Sequence, residues 1–203
     1  MTATLERLKN GYTTGGRRLG LRVMSRLADA PVTPNQITVV GFSMNVVAGV
    51  LIYERMWILA TVVFILASIL DILDGALARA RGRFSPFGSF LDSTTDRLSE
   101  GVILGAVALV LADDGETLAL ACAVAALTCS FLISYTRAKA ESVGVKGEAG
   151  LMARAERIVL LAVTFAFAGL GALPYGIELL AVLTAFTVLQ RTVYVYRQLS
   201  REG

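Results

Sequence analysis

Four aspartates lie close together in the second quarter of the chain, at Asp71, Asp74, Asp92 and Asp96. The first two are three residues apart and the last two are four apart, so each pair shares one face of a helix. Carboxylates grouped in this way bind hard cations such as Mg²⁺ or Mn²⁺. Because the chain contains no histidine, acid–base chemistry falls to carboxylates, lysine or tyrosine.

The segment between the two pairs predicts how they meet. Its sequence 81–86, with one glycine and one proline, is typical of a turn that brings two helices back antiparallel. The uncharged residues 56–70 would rise about 22 Å as a helix, which places Asp71 at one edge of a hydrocarbon core about 30 Å thick. Four carboxylates at that depth would repel one another unless a cation compensated them. Solvated helix ends are the common alternative, but they do not explain aspartates spaced 3, 18 and 4 residues apart.

The rest of the composition indicates the elements that position these side chains. Hydrophobic residues make up 55% of the 203-residue chain, above the 45–50% of a soluble domain. We predict an all-α integral membrane bundle of six transmembrane helices, preceded by an N-terminal amphipathic interfacial helix. The amphipathic juxtamembrane segment is 1–30 and the transmembrane domain is 31–203. The predicted spans are 36–53, 56–80, 88–112, 116–141, 151–170 and 175–199.

Basic residues predict the orientation of the bundle. Of nineteen lysines and arginines, only Arg55 lies near the first, third or fifth connection. The others lie towards the termini or near the second and fourth connections, which the positive-inside rule places in the cytoplasm. The arginine-rich segment 1–30 has no apolar stretch of the kind found in signal peptides, and it suits a helix lying on anionic lipid. We therefore expect both termini and the aspartates on the cytoplasmic side of the cell membrane, and no nucleic-acid partner.

The aspartates belong to a longer motif with a known counterpart. Residues 71–96 follow the pattern D-x2-D-G-x2-A-R-x8-G-x3-D-x3-D at every defined position. This pattern resembles the signature of the CDP-alcohol phosphotransferase (class I CDP-alcohol phosphatidyltransferase) family. Members of that family have six membrane helices and an amphipathic helix before them. They transfer a phosphatidyl or similar group from a CDP-linked donor to an alcohol, with release of CMP.

The resemblance implies roles for individual residues. Asp71, Asp74 and Asp92 would bind the metal, two Mg²⁺ or Mn²⁺ ions, and Asp96 would lie near the metal and act as the general base. It also implies a homodimer, and CDP-diacylglycerol as the donor. The CDP group would be held by residues on both sides of the motif: Asn35, Gln36, Ile37, Thr38, Gly75, Arg79 and Ser85.

A second cluster, of basic residues, bears on the acceptor alcohol. Arginines at membrane depth are costly, so they call for an anionic partner. Snorkelling side chains are the alternative interpretation, but it suits Arg191 and Arg157 poorly, because apolar helix continues beyond each of them. We therefore predict an acceptor that carries its own phosphate. The predicted acceptor-phosphate residues are Arg137, Lys139, Arg154, Arg157 and Arg191.

Within the family, the motif and the segments 134–141 and 154–157 resemble the bacterial phosphatidylinositol phosphate synthases, which use inositol 1-phosphate. The other branch with a phosphorylated acceptor, the phosphatidylglycerophosphate synthases using glycerol 3-phosphate, more often has proline and lysine where Ser93 and Arg97 stand. Arg137 and Lys139 occur in the reverse of the expected order, and guanidinium and ammonium are not equivalent for phosphate. Phosphatidylglycerophosphate synthase therefore stays an alternative.

Two other classes of protein fit part of the pattern. Aspartates within a membrane also mark divalent-cation or proton transporters, but here the acidic residues lie near one face and the other halves of the spans are apolar. A non-catalytic scaffold would not need all four aspartates. The pair Gly101-x3-Gly105 suits close helix packing, either within the bundle or in a homodimer.

Overall fold

The computed structural model describes residues 33–80 and 85–202, and these are helical apart from short connections. The N-terminal segment 1–30, predicted as an interfacial helix, lies outside the described residues. The all-α prediction is confirmed. The helices are α1 Pro34–Tyr53, α2 Trp57–Ala80, α3 Pro86–Asp113, α4 Thr117–Ser142, α5 Arg154–Ala166 and α6 Leu173–Glu202, with a 3₁₀ turn at Ala168–Leu170.

Local sequence explains where the helices near the aspartates begin. At the start of α1, the Thr33 hydroxyl accepts from the Gln36 N–H at 3.3 Å, while the Gln36 side chain accepts from the Thr33 N–H at 2.9 Å. These two bonds form a capping box, with Pro34 in the first turn, where proline costs no hydrogen bond. The α3 helix also begins with a side-chain N-cap and a proline, Pro86, because the Ser85 hydroxyl accepts from the Gly88 N–H at 2.9 Å.

Within the described residues, four helices are long and apolar enough to cross a membrane, namely Pro34–Tyr53, Trp57–Leu77, Thr117–Ser142 and Leu173–Ser200. The chain is therefore a multi-pass membrane protein. The other two helices do not meet the same criterion. The α3 helix has 28 residues, but its first half is charged. The α5 helix has 13 residues, a rise of only about 20 Å.

The largest differences from the predicted bounds fall in the fifth span, whose α-helix ends at Ala166 rather than at residue 170. The fifth span was predicted from residue 151, whereas α5 begins at Arg154 and the residues before it are extended. Gly150 has a φ of +129°, and a Cβ there would collide with the side chain of Thr187. The Met152 N–H donates to the Thr187 hydroxyl at 3.1 Å instead of to a helical carbonyl. Tertiary contacts with α6 therefore delay the start of α5.

The core contains buried side chains from all six helices, and those of α6 lie in its first third. The rings of Phe64 and Phe165 meet edge to face with their centroids 5.6 Å apart. Helices α1 and α3 approach closely at Gly49, where a Cβ would lie 2.8 Å from the Val102 side chain. By contrast, a Cβ at Gly101 or Gly105 would meet nothing within 4 Å among the described residues, so this glycine pair faces outwards.

Candidate active site

Three of the four aspartates form a compact cluster. Asp71 and Asp74 lie on α2 and Asp92 lies on α3, and each offers a carboxylate oxygen within 4.8 Å of the others. Octahedral Mg²⁺ binds oxygens at 2.0–2.1 Å, so opposite ligands stand about 4.2 Å apart. Small side-chain adjustments would therefore let all three bind one ion. The all-oxygen donor set also fits Mg²⁺ or Mn²⁺ in its chemistry.

Asp96 is linked to this cluster through Arg154, the first residue of α5. The Arg154 Nη1 atom lies 2.6 Å from Asp71 Oδ2 and 2.6 Å from Asp96 Oδ1. A second guanidinium, that of Arg97, is 3.7 Å from the other oxygen of Asp96. Asp96 Oδ1 is buried and has no hydrogen-bond partner among the described residues, because the Arg154 contact lacks hydrogen-bond geometry. This oxygen is therefore able to accept a proton or contact a cation.

The start of α1 supports the cluster from a third direction. Asp74 is 3% exposed, and its Oδ2 accepts a hydrogen bond from the Thr38 hydroxyl at 2.5 Å. The Pro34 carbonyl is a second, longer acceptor for that hydroxyl, at 3.1 Å. A hydroxyl has one hydrogen to donate, and the charge-assisted bond to the carboxylate is the stronger of the two. Thr38 thus orients one oxygen of Asp74 and leaves the other for the cluster.

The residues predicted to hold CDP are gathered at the same end of the bundle. A Cβ at Gly88 would lie 2.9 Å from Ser85 Oγ and 3.1 Å from Asn35 Oδ1, so the starts of α1 and α3 meet there. Gly75 lies one residue beyond Asp74, and Arg79 is in the last turn of α2. Gln36 takes part in the capping box, and Ile37 is buried. Their role in binding CDP stays a prediction.

The five residues predicted to bind an acceptor phosphate have different surroundings. Arg154 contacts the aspartates, as described above. Arg157 is buried, and its Nε and Nη2 atoms donate to Glu100 Oε1 at 2.8 and 2.6 Å. The anionic partner expected for this arginine is therefore present within the chain.

The remaining three predicted residues lie on α4 and α6. Arg191 is buried and donates to the carbonyl of Ala149 at 2.8 Å and to that of Ile133. Arg137 is exposed and pairs with Glu141 at 2.9 Å and Glu148 at 3.0 Å, and Lys139 is exposed near the end of α4. Their role as phosphate ligands stays a prediction.

Sequence reasoning missed one residue of this region and one contact of a residue that it had named. Glu100 was not singled out, although it follows Asp96 by four residues and so shares its helix face. The role of Thr38 in binding CDP stays a prediction, and its contact with Asp74 was not predicted, because it joins residues 36 positions apart and local spacing gives no signal for it.

The site and the fold together define a membrane-embedded, metal-dependent transferase. Residues 31–193 match the CDP-alcohol phosphatidyltransferase family, and the chain belongs to that family. The sequence is 37% identical to archaetidylinositol phosphate synthase of Pyrococcus horikoshii, over 88% of this chain and 91% of the relative. It is 38% identical to phosphatidylinositol phosphate synthase of Streptomyces avermitilis, over 82% of this chain and 73% of the relative.

Solved structures agree with these sequence relatives. The fold is similar to the phosphatidylinositol phosphate synthase of Mycobacterium tuberculosis with CDP-DAG bound, with a TM-score of 0.80, 28% identity and coverage of 88% of this chain and 94% of that chain. The same enzyme in complex with manganese and citrate matches with a TM-score of 0.77 and 28% identity, over 86% of this chain and 88% of that chain.

Proposed function

We propose that this chain transfers the phosphatidyl group of CDP-diacylglycerol to inositol 1-phosphate and releases CMP, as a phosphatidylinositol phosphate synthase does. The observation that carries the proposal is the site itself: three carboxylates within 4.8 Å of one another, with the Arg154 guanidinium 2.6 Å from both Asp71 and Asp96. A cation site beside a fixed positive charge suits two phosphorylated substrates that must react with each other. The named relatives at 37–38% identity support inositol phosphate as the acceptor.

In the proposed reaction, the acceptor hydroxyl oxygen attacks the phosphorus of the lipid phosphate. A new phosphorus–oxygen bond forms, the bond to CMP breaks, and the hydroxyl proton passes to Asp96. The buried Asp96 Oδ1 accepts no hydrogen bond from the described residues, which leaves it able to take that proton. When bound, Mg²⁺ or Mn²⁺ would neutralise the phosphates and stabilise the departing CMP.

Binding residues are proposed for both substrates. Asp71, Asp74 and Asp92 would hold the metal, and Asp96 would approach it. Two ions are proposed, because four carboxylates offer more ligands than one ion with bound phosphates needs. The CDP group would lie between the starts of α1 and α3 and the end of α2, where Asn35, Gly75, Arg79 and Ser85 are found. The acceptor phosphate would lie against Arg154, with Arg137, Lys139, Arg157 and Arg191 contributing positive charge around it.

The proposed topology has six spans with the site at the cytoplasmic face. The 3₁₀ turn at Ala168–Leu170 lengthens the apolar segment that α5 begins, and the second half of α3 is apolar, so these two segments would be the remaining spans. The basic residues at the site end support this orientation under the positive-inside rule.

A homodimer is also proposed, with the outward-facing Gly101 and Gly105 allowing a second copy to pack closely. The contact is tested by replacing Gly105, and then other positions along α3, with cysteine and crosslinking the protein in membranes. Absence of a crosslinked dimer at every tested position would contradict it.

One assay tests the function. Purified protein is given CDP-diacylglycerol and Mg²⁺, and CMP release is measured with inositol 1-phosphate, glycerol 3-phosphate, inositol and serine in parallel. We expect the fastest release with inositol 1-phosphate and none after chelation of the metal. Faster release with glycerol 3-phosphate would make the chain a phosphatidylglycerophosphate synthase instead.

Two controls accompany the assay. An ether-linked CDP-lipid serves as a second donor, because one of the relatives is named for an archaetidyl product. Uptake of Mn²⁺ into vesicles containing the protein tests the transporter alternative. Uptake without any CMP release would reject the transferase proposal.

A further inference from the structure

A buried ion pair lies one helical turn away from the proposed catalytic residues. Arg157 on α5 donates from both Nε and Nη2 to the same oxygen of Glu100 on α3. Its Nη1 donates to the Met152 carbonyl at 3.1 Å. The side chains are only 4% and 15% exposed. Burying such a pair gains little stability over an apolar pair of similar size, so its presence calls for another explanation.

The position of the pair suggests that explanation. Glu100 follows Asp96 by four residues on α3, and Arg157 follows Arg154 by three on α5. The two helices are therefore joined by two successive contacts, Arg154 to Asp96 and Arg157 to Glu100. In both helices the second contact lies about one turn further along the chain than the first. Together the two contacts therefore fix the position of α5 along the axis of α3 as well as the distance between the helices.

The first turn of α5 depends on such tertiary contacts. Its N-cap residue, Ala153, has no side chain that could accept a capping hydrogen bond. The Arg154 side chain also borders a small cavity of about 30 Å³, which it shares with Glu100, Arg157, Asn45 and Ser99. With free space on one side, close packing does not fix the orientation of Arg154. The charged groups around it must do so.

We propose that Glu100 is a positioning residue for the transfer reaction. Acting through Arg157, it holds the first turn of α5 so that the Arg154 guanidinium stays between Asp71 and Asp96. In this way it sets where an acceptor phosphate lies relative to the carboxylate that takes the proton. The inference rests on the proposed function, and it assigns Glu100 no direct contact with substrate or metal.

The test compares Glu100→Gln with Glu100→Asp in the purified full-length protein. Glu100→Gln keeps the shape and removes the charge, while Glu100→Asp keeps the charge. We expect Glu100→Gln to lower kcat/KM for the acceptor by about 10²-fold, because a displacement of about 1 Å can have that effect. KM for CDP-diacylglycerol and the Mn²⁺ affinity measured by electron paramagnetic resonance should change less than about twofold. Glu100→Asp should recover part of the loss.

Matched controls separate positioning from general destabilisation. Ser99→Ala changes a neighbouring buried residue that lines the same cavity, and Thr184→Val changes a buried hydroxyl on α6 that bonds only within its own helix. Neither should alter kcat/KM for the acceptor. An equal loss for both substrates and for Mn²⁺ in Glu100→Gln would overturn the proposal, and so would unchanged kinetics.

Two further measurements cover the remaining outcomes. If Glu100→Gln does not fold, Arg157→Lys keeps the charge but loses the forked contact, and it should speed hydrogen exchange of the amides 154–158, which loss of a phosphate ligand alone would not do. Hydrogen exchange of the amides 154–158 gives a readout independent of activity. Faster exchange in Glu100→Gln but not in Ser99→Ala supports the proposal, and equal exchange in both overturns it. If the wild-type protein releases no CMP with any acceptor, the proposed function fails, while the exchange result still tests the link from Glu100 to α5.

Discussion

The two ends of the bundle differ in how far their charged side chains are exposed. At the end away from the aspartates, Arg55 in the α1–α2 turn forms a bidentate pair with Asp114 in the α3–α4 turn, at 3.0 and 2.8 Å. Both side chains are well exposed, at 45% and 40%. At the site end, Asp74 and Arg157 are buried, and the other aspartates, Glu100 and Arg154 are half-buried. Similar groups at similar distances therefore experience very different surroundings.

The difference separates charges that serve the fold from charges that serve chemistry. An exposed pair costs little desolvation and contributes about 0–1 kcal/mol. A buried group of charges is expensive to assemble, and an apolar core would stabilise the helices as well or better. We infer that the end of the bundle with the aspartates is less stable than an apolar equivalent would be, and that its charged side chains are kept for catalysis. Substitutions there should affect catalysis more than folding, and substitutions at the other end should affect neither strongly.

The largest effect is expected from Asp96→Asn. Asparagine fills the same space but cannot accept the proton of the acceptor hydroxyl, so kcat should fall by about 10²–10⁴-fold. Binding of CDP-diacylglycerol should persist, as measured by isothermal titration. Asp114→Asn, the matched aspartate at the opposite end, should keep full activity. Turnover near the wild-type level in Asp96→Asn would remove this residue as the base.

A smaller effect is expected from Thr38→Val. The valine keeps the volume of threonine but cannot donate to Asp74 Oδ2, which leaves that carboxylate free to rotate. Loss of a partner that orients a metal ligand costs about 10–100-fold in metal affinity or activity. The Mg²⁺ dependence of CMP release measures the change. Thr38→Ser keeps the hydroxyl and should stay close to wild type, and equal Mg²⁺ dependence in the two variants would argue against this role.

Thr187→Val tests the contact between α6 and the segment that leads into α5. It leaves the buried Met152 N–H without its acceptor, a loss of about 1–3 kcal/mol in the free energy of unfolding. Thermal unfolding in detergent measures this, with Thr184→Val as the control, because its hydroxyl bonds only within α6. A drop in stability of the same size in both variants would show that the contact with Met152 adds nothing.

Much of the fold was predictable because hydropathy is a local property. The predicted ends of the first four helices differ from those of the structure by at most two residues. The start of α5 was wrong because it depends on Gly150 and Met152 meeting Thr187, some 35 residues away. Hydropathy alone does not show whether the first residues of an apolar segment are helical or extended.

The same distinction applies to the site. The spacing of the aspartates predicted that α2 and α3 would bring them together, since both pairs follow the helical repeat. The link between Arg157 and Glu100 spans 57 residues and arises only from the packing of α5 against the bundle. At the opposite end, the pairing of Arg55 with Asp114 joins residues 59 positions apart and was not predicted either.

The smallest effect is expected from Arg55→Ala, which completes the contrast between the two ends. Arg55 adopts a positive φ of 58°, which is uncommon for a residue other than glycine, and its guanidinium reaches Asp114 across the surface. Removing the side chain should lower the free energy of unfolding by less than about 1 kcal/mol, because water and lipid headgroups solvate the freed carboxylate. Arg55→Gly should be no less stable than Arg55→Ala, since glycine adopts positive φ without strain. The measurement is CMP release together with thermal unfolding at low and high salt. A loss of activity comparable to that of Thr38→Val would mean that charges at both ends serve catalysis, and the contrast drawn between them would be wrong.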